Sequence, residues 1–135
     1  MFEHFLAAQA PVYAKVLSEL RAGRKRSHWM WFVFPQLRAL GRSDTARRFG
    51  LSDVEEARAY VGHAILGARL RECVTLAIAI EGASANEVFG SPDDLKFRSC
   101  LTLFLAATGE RLFQDGLDKF YSGEQDPLTV EALDR

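Results

Sequence analysis

The sequence has few of the features that distinguish membrane-spanning or secreted proteins from ordinary water-soluble domains. Its longest apolar runs, Trp29 to Pro35 and Val74 to Ile80, are far shorter than the ~20 residues of a membrane-spanning helix. No basic stretch followed by an apolar run occurs at the N-terminus, so a secretory signal is not expected. These absences predict a cytoplasmic protein that does not bind membranes.

Cysteine and histidine are also scarce. The two cysteines, Cys73 and Cys100, and the three histidines do not follow the spacing of zinc ligands. Because disulfides are rare in the cytosol, we expect both cysteines to be reduced and buried within helices as small apolar side chains. A reactive Cys100 is the alternative. We predict neither a metal site nor a cofactor.

Net charge is nearly absent, at −1 from 17 basic and 18 acidic residues. The charges are unevenly distributed, however. Residues 1–48 hold nine Lys and Arg and three acids, a net +6, whereas residues 49–135 hold eight and fifteen, a net −7. This asymmetry indicates either an anion-binding face in the first part or two parts that neutralise each other on folding.

Residues typical of helix ends are frequent, and strand patterns are scarce. Only Trp31 to Phe34 has a composition that also favours a strand. Capping boxes at Ser52–Glu55 and Ser84–Glu87 predict the starts of two helices. Ser91 and Pro92 predict a third start, with Ser91 as the N-cap and Pro92 in the first helical position.

These signals predict an all-α fold. A chain of 135 residues is long enough to bury roughly 68% of its unfolded surface around one core. We therefore expect one compact helical domain over residues 1–135, with about six to eight helices, several of them short. The apolar segment from Pro92 to Ala107 is expected to form the central, buried helix.

The most unusual segment runs from Gly23 to Gln36. A basic cluster is followed by the bulky residues Trp29 to Phe34, whose aromatic rings each bury about 150–250 Å² and are expected to anchor the segment in the core. Packing does not explain the polar residues Lys25, His28 and Gln36. Held at the rim of the core, they would suit a small anionic ligand.

The beginning of the apolar helix is the second candidate region. On a helix, Asp93, Lys96 and either Ser99 or Cys100 lie along one side. Asp93 and Lys96 have two interpretations. They form a surface ion pair worth about 0.3–0.5 kcal/mol, or they face a pocket in which Asp93 is a base or orienting group and Lys96 holds an anion.

Both segments belong to a pattern that resembles the domain-of-unknown-function family 1810. The motifs that carry the resemblance are Gly23-Arg24-Lys25, His28 to Gln36, Leu40-Gly41-Arg42-Ser43, His63, Leu66 to Leu70, Phe89 to Lys96, Thr102-Leu103-Phe104, Asp126 and Thr129. The sequence departs from the family pattern at Phe49, Ala64 and Cys100, where Tyr, Pro and Ser are expected. Position 100 therefore offers no serine hydroxyl as a nucleophile.

The resemblance implies a small, cytosolic, mostly helical protein with no assigned activity. It also implies a site, because the polar signature positions of the family include several that packing does not require: Lys25, His28, Gln36, Ser43, Arg69, Asp93, Lys96 and Thr102. Bacterial members are often labelled calpastatin. Calpastatin is an intrinsically disordered inhibitor, whereas this composition is that of a globular protein.

We predict one partly enclosed site for a small phosphate- or nucleotide-like anion. His28 is the predicted proton carrier, and Asp93 is predicted to orient it or to activate water. The predicted ligand-binding residues are Lys25, Trp29, Gln36, Arg69, Lys96 and Thr102. These residues do not decide whether the ligand is only bound or is also hydrolysed, so whether the chain is an enzyme stays open.

Two other functions stay open. A protein-interaction module without catalysis would use the basic face, for a partner that the sequence does not identify. A nucleic-acid binder would combine Arg21 to Arg48 with aromatic residues, but it is the least favoured because those aromatics are expected to be buried. The directions of His28, Asp93 and Lys96 separate these functions, since convergence in a concavity favours a small-ligand site.

Overall fold

The computed structural model describes residues 1–134 and contains, within that range, ten α-helices and no β-strand. The helices are α1 (Glu3–Gln9), α2 (Tyr13–Arg21), α3 (Met30–Val33), α4 (Asp44–Arg48), α5 (Val54–Gly62), α6 (Ala64–Ala79), α7 (Ala85–Phe89), α8 (Asp93–Thr108), α9 (Arg111–Tyr121) and α10 (Pro127–Leu133). A 3₁₀ turn, Arg38–Leu40, separates α3 from α4. The prediction of an all-α fold is confirmed.

Several helix ends follow from local sequence signals, and the signal at the start of α7 was predicted. Ser84 and Glu87 form the capping box that begins α7. Asp126 caps α10 by accepting the Thr129 N–H, and Gly109 ends α8 in the left-handed conformation, with φ of 69°. Each of these signals acts between residues close together in the chain.

Two local predictions are wrong. Asp53, and not Ser52, caps α5, although the Ser52 N–H does reach the Glu56 carboxylate. Ser91 does not cap α8, because Pro92 occupies the N-cap position after a cis peptide bond and the first turn instead donates to backbone oxygens. The composition of Trp31 to Phe34, which also favours a strand, does not produce one, since most of this segment lies in α3.

The core is centred on α8, which packs against α5 and α9 and also contacts α7 and α10. Its residues Phe97, Cys100, Leu101 and Phe104 are completely buried. Because this helix is buried along most of its length, only its first turns reach the surface with polar side chains. The fold therefore presents Asp93 and Lys96 at the edge of the core, where the sequence placed them.

The aromatic segment anchors the chain as expected at two of its rings. Trp29 and Phe34 are buried, and the Phe34 ring packs edge-on against Phe97 of α8 at a centroid distance of 4.7 Å. Trp31 and Phe32 are only partly buried. Trp31 is therefore free to contact polar neighbours at the edge of the core.

None of the helices within residues 1–134 is long and apolar enough to cross a membrane.

Cys73 and Cys100 are free thiols that are buried completely. Burial raises the pKa of the Cys73 thiol to about 12 and that of the Cys100 thiol well above its ordinary value. We therefore expect neither thiol to react with an aromatic disulfide reagent in the native protein, because the thiolate is the reactive form. Both should react in concentrated guanidinium chloride. Rapid reaction of one thiol in native buffer would contradict this prediction.

Candidate functional site

A buried carboxylate fixes the segment that precedes α3. Glu19, on α2, is only 6% exposed. It accepts hydrogen bonds from the Arg26 N–H (2.7 Å), the Ser27 N–H (3.1 Å), the Ser27 hydroxyl (2.6 Å) and the Trp29 indole (2.9 Å). Burial raises the pKa of the Glu19 carboxyl, but the four donors outweigh it and hold the pKa at about 2. Glu19 thereby sets the path of the chain that places Lys25 beside α8.

Two lysines share one aspartate at the start of α8. Lys25 Nζ lies 2.8 Å from Asp93 Oδ2, and Lys96 Nζ lies 3.6 Å from Asp93 Oδ1. The two ammonium groups also lie 5.3 Å and 5.2 Å from the ring centres of Trp29 and Trp31. The Lys25 side chain is 8% exposed and that of Lys96 is 24% exposed. Lys96 is therefore the more accessible cation and has the longer ion pair.

Lys96 also lines an open cleft of about 520 Å³ between the start of α8, residues 36–42 and the start of α10. We call this the Lys96 cleft. It is lined by Gln36, Leu40, Arg42, Pro92, Leu95, Lys96, Arg98, Ser99, Asp126, Pro127 and Leu128. Three of these side chains are cationic and one is a carboxylate, so the lining has an excess of positive charge.

Asp126, the one carboxylate among the described residues that line the cleft, is fully engaged by the protein. Its side chain is buried, and Oδ2 accepts hydrogen bonds from the Ser99 hydroxyl (2.8 Å), the Thr129 hydroxyl (2.6 Å) and the Thr129 N–H (3.2 Å). Its own N–H donates to the Thr102 hydroxyl (2.9 Å). Asp126 thus joins α10 to α8 through Ser99 and Thr102.

Arg98 is only partly satisfied. One guanidinium nitrogen lies 3.6 Å from Asp126 Oδ1, and the group lies over the Tyr121 ring at 5.9 Å. Arg98 Nε is buried and has no hydrogen-bond partner among the residues that the structure describes. A buried donor without an acceptor costs about 1–3 kcal/mol. Arg98 therefore retains hydrogen-bonding capacity that its neighbours do not use.

The structure brings five of the predicted site residues together. Lys25, Trp29, Asp93 and Lys96 form one cluster through the ion pairs and ring contacts described above. Gln36 lines the same cleft as Lys96. Thr102 is buried and acts on the cleft only through Asp126.

The remaining two predicted residues have other surroundings. Arg69 donates a hydrogen bond to Gln9 Oε1 (3.3 Å) and lies over the Tyr13 ring at 4.7 Å. The His28 side chain is exposed and makes no hydrogen bond or ion pair with residues 1–134. The Asp93 carboxylate pairs with two lysines and does not orient His28. The described residues thus lack the predicted proton-relay pair.

Sequence reasoning did not assign Arg42, Arg98 or Glu19 to the site. The available signal for Arg98 was its position as the last charged residue of α8, just before the uncharged run that completes the helix. Arg42 is exposed and has no ion-pair partner within the described part of the chain. Its proximity to Lys96 arises from packing between distant segments, which no local pattern reveals.

The charge asymmetry of the sequence is only partly neutralised. Within residues 1–134, two ion pairs join the basic first part to the acidic second part: Lys25 with Asp93 at 2.8 Å, and Arg38 with Glu56 at 3.9 Å. No group of three or more His, Cys, Asp or Glu side chains in residues 1–134 is arranged to hold a metal ion. Arg42, Lys96 and Arg98, which line the Lys96 cleft, match an anion better than a cation.

Two comparisons with known proteins identify relatives of the chain. A family model described as a protein of unknown function (DUF1810) matches residues 1–133. The fold is similar to the crystal structure of a conserved hypothetical protein from Mycobacterium tuberculosis, which is 53% identical in sequence, with a TM-score of 0.98. That likeness covers 99% of this chain and 96% of the other. No curated protein matches the chain.

Proposed function

The chain belongs to the DUF1810 family, whose name assigns no activity, and from the geometry of the site we propose that the Lys96 cleft binds a small anionic ligand of the phosphate class. The match confirms the family resemblance drawn from the sequence motifs. We also propose that the protein acts in the cytosol, which its two free cysteines support.

One observation carries this proposal, namely the imbalance of charge in the cleft. Arg42, Lys96 and Arg98 line it, and the only carboxylate among the lining residues already accepts three hydrogen bonds. Arg42 has no ion-pair partner in the described structure, and Lys96 lies 3.6 Å from an aspartate that Lys25 holds more closely. Hydrogen bonds between such cations and a phosphate oxygen are among the stronger ones in proteins.

The proposal is limited to binding, because residues 1–134 place no hydrogen-bonded acid–base pair at the cleft. His28 and Asp93, the candidates for proton transfer, are not hydrogen-bonded to each other in the described residues. Hydrolysis would need a nucleophile and a base within about 2.6–3.2 Å of the groups they serve. The cations and Gln36 can instead hold an anion without altering it.

Removal of Lys96 is expected to weaken anion binding strongly and to leave the fold intact. We expect inorganic phosphate, titrated at constant ionic strength, to cause saturable NMR shifts in residues 36–42, 95–99 and 126–128. The Lys96→Ala variant should bind phosphate at least about tenfold more weakly, because an ammonium group that contacts the anion is lost. Its free energy of unfolding should fall by less than about 1 kcal/mol, as is usual for a partly exposed ion pair.

Lys15→Ala is the matched control for this experiment. Lys15 is exposed on α2, and its removal changes the net charge of the protein by the same amount. This variant should bind phosphate as the unchanged protein does. Equal weakening in both variants would show a diffuse effect of net charge and would contradict a site at Lys96.

The same titration separates the alternative functions. A nucleic-acid binder would bind a single-stranded oligonucleotide much more tightly than phosphate, and its affinity would fall steeply with salt. Oligonucleotide binding that depends on Arg21, Arg24 and Arg26 but not on Lys96 would overturn the proposal. An absence of saturable phosphate binding would also overturn it, and would leave the protein-interaction function.

A further inference from the structure

We propose that the anion of the Lys96 cleft carries an apolar group, so that the ligand class is a soluble phosphate monoester with a short hydrocarbon substituent. This inference rests on the proposed function, because it assigns the phosphate to the cations that line the cleft. The apolar group is assigned to the remaining wall of the same cleft, where Leu40, Leu95 and Leu128 lie.

The first reason to expect an apolar group on the ligand is the size of the cleft. Its volume of about 520 Å³ lies within the ~300–1,000 Å³ that is typical of sites for small organic ligands. Since one water occupies about 30 Å³ of the liquid, such a volume has room for on the order of 15 groups of that size. A free phosphate ion has far fewer heavy atoms, so phosphate alone would leave most of the cleft unfilled.

The second reason is that two leucines at the cleft are exposed. Leu95 is 51% exposed and Leu128 is 59% exposed. Among the described residues, the large apolar side chains that are exposed number four, and these two both line the Lys96 cleft. The other two are Met1 at the chain end and Ile65 on α6. Concentration of exposed apolar surface beside a cluster of cations is typical of a ligand-binding site.

The third reason is that leucines and cationic side chains lie next to each other along the cleft. Leu95 and Lys96 are adjacent on α8, and Leu40 lies two residues from Arg42 in the facing segment. A smaller hollow of about 230 Å³ shares Leu40 and Leu128 with the cleft and is also lined by Ala39, Glu131 and Ala132. A phosphate held at Lys96 would therefore direct its substituent along the leucines towards α10.

A chain-length series tests this inference. We expect affinity to rise from methyl phosphate through propyl to butyl phosphate, all at concentrations where they are monomeric. The rise should be about tenfold in total, since each fully buried methylene contributes roughly a fourfold change and the open cleft buries each only in part. Calorimetric titration of the full chain measures this dependence.

Two variants locate the effect. The Leu95→Ser/Leu128→Ser double variant changes exposed side chains and should fold normally. It should retain saturable binding of methyl phosphate and lose the dependence on chain length. The Ile65→Ser variant, which removes an exposed apolar side chain from α6, should retain that dependence.

The outcomes separate this inference from the proposed function. Equal affinity for methyl and butyl phosphate would overturn the inference and leave the anion site in place. Butanol binding as tightly as butyl phosphate, or the absence of binding by every phosphate, would overturn the anion site itself. Binding to vesicles of anionic lipid, without saturable binding of monomeric butyl phosphate, would overturn the assignment to a soluble monoester.

Discussion

Replacement of Glu19 by alanine should lower the free energy of unfolding by about 3–5 kcal/mol, which is a large fraction of the stability of a domain this size. The variant removes the acceptor of four hydrogen bonds, one of them from the buried indole of Trp29. A donor left unpaired in the interior costs the full free energy of removing it from water, because no acceptor replaces the water molecule that it binds in the unfolded chain. Chemical denaturation of the variant and the unchanged protein measures the difference.

The Glu19→Gln variant keeps an acceptor oxygen but loses the charge, so its stability should lie between that of the unchanged protein and that of Glu19→Ala. If the alanine variant does not fold, the comparison of Glu19→Gln with the unchanged protein tests the prediction. Glu124→Ala removes an exposed glutamate and should change stability by less than about 0.5 kcal/mol. A loss at Glu19 as small as that at Glu124 would contradict the structural role of the Glu19 carboxylate.

The same carboxylate should make stability depend on pH. Its pKa is about 2 in the folded protein and close to the ordinary 4.5 when unfolded. Because the folded pKa is the lower one, the contribution is complete above pH 4.5 and is lost as pH falls towards 2. The advantage of the unchanged protein over Glu19→Gln should therefore shrink over this interval, by about 3 kcal/mol. An advantage that is constant with pH would contradict the assignment.

Replacement of Asp126 by alanine is the second change from which we expect a large effect, about 3–5 kcal/mol of unfolding free energy. It removes the acceptor for the buried hydroxyls of Ser99 and Thr129 and the counter-charge of Arg98. It also removes the N-cap of α10, so the wall of the Lys96 cleft that α10 forms should loosen. Urea denaturation measures the stability, and amide hydrogen exchange in α10 measures the local loosening.

Asp53→Ala is the matched control for Asp126, because Asp53 is also an aspartate N-cap but is exposed. Loss of a cap alone costs about 1 kcal/mol. Equal losses at the two positions would show that Asp126 is only a cap. The Asp126→Asn variant keeps acceptor oxygen and removes the negative charge beside Arg98, so it should bind phosphate more tightly than the unchanged protein does.

Part of the site could be predicted because its residues are close in the chain. Asp93 and Lys96 are three residues apart at the start of a helix whose apolar composition indicated burial, and they lie in one ion-paired cluster as expected for neighbours on a helix. The bulk of Trp29 and Phe34 similarly indicated that the preceding segment is anchored in the core. These inferences needed only the period of a helix and the size of the side chains.

Other parts of the site could not be predicted because their partners are distant in the chain. Lys25 and Asp93 are 68 positions apart, and nothing near either residue indicates the 2.8 Å ion pair between them. His28 lies beside a buried tryptophan, yet its side chain is exposed, so the expectation that it meets Asp93 rested on the segment and not on its direction. The roles of Arg42 and Arg98 were missed for the same reason.

The sequence by itself determined the helical fold and several of the helix ends, because capping, helix periodicity and glycine stops depend on residues within a few positions of one another. Only the tertiary structure decided which charged side chains lie close together. The packing of α8 and α10 with residues 36–42 placed Arg42, Lys96 and Arg98 at one cleft, and it buried Asp126 among donors that satisfy it. Such contacts between distant segments depend on the simultaneous packing of many helices, and local sequence signals do not encode them.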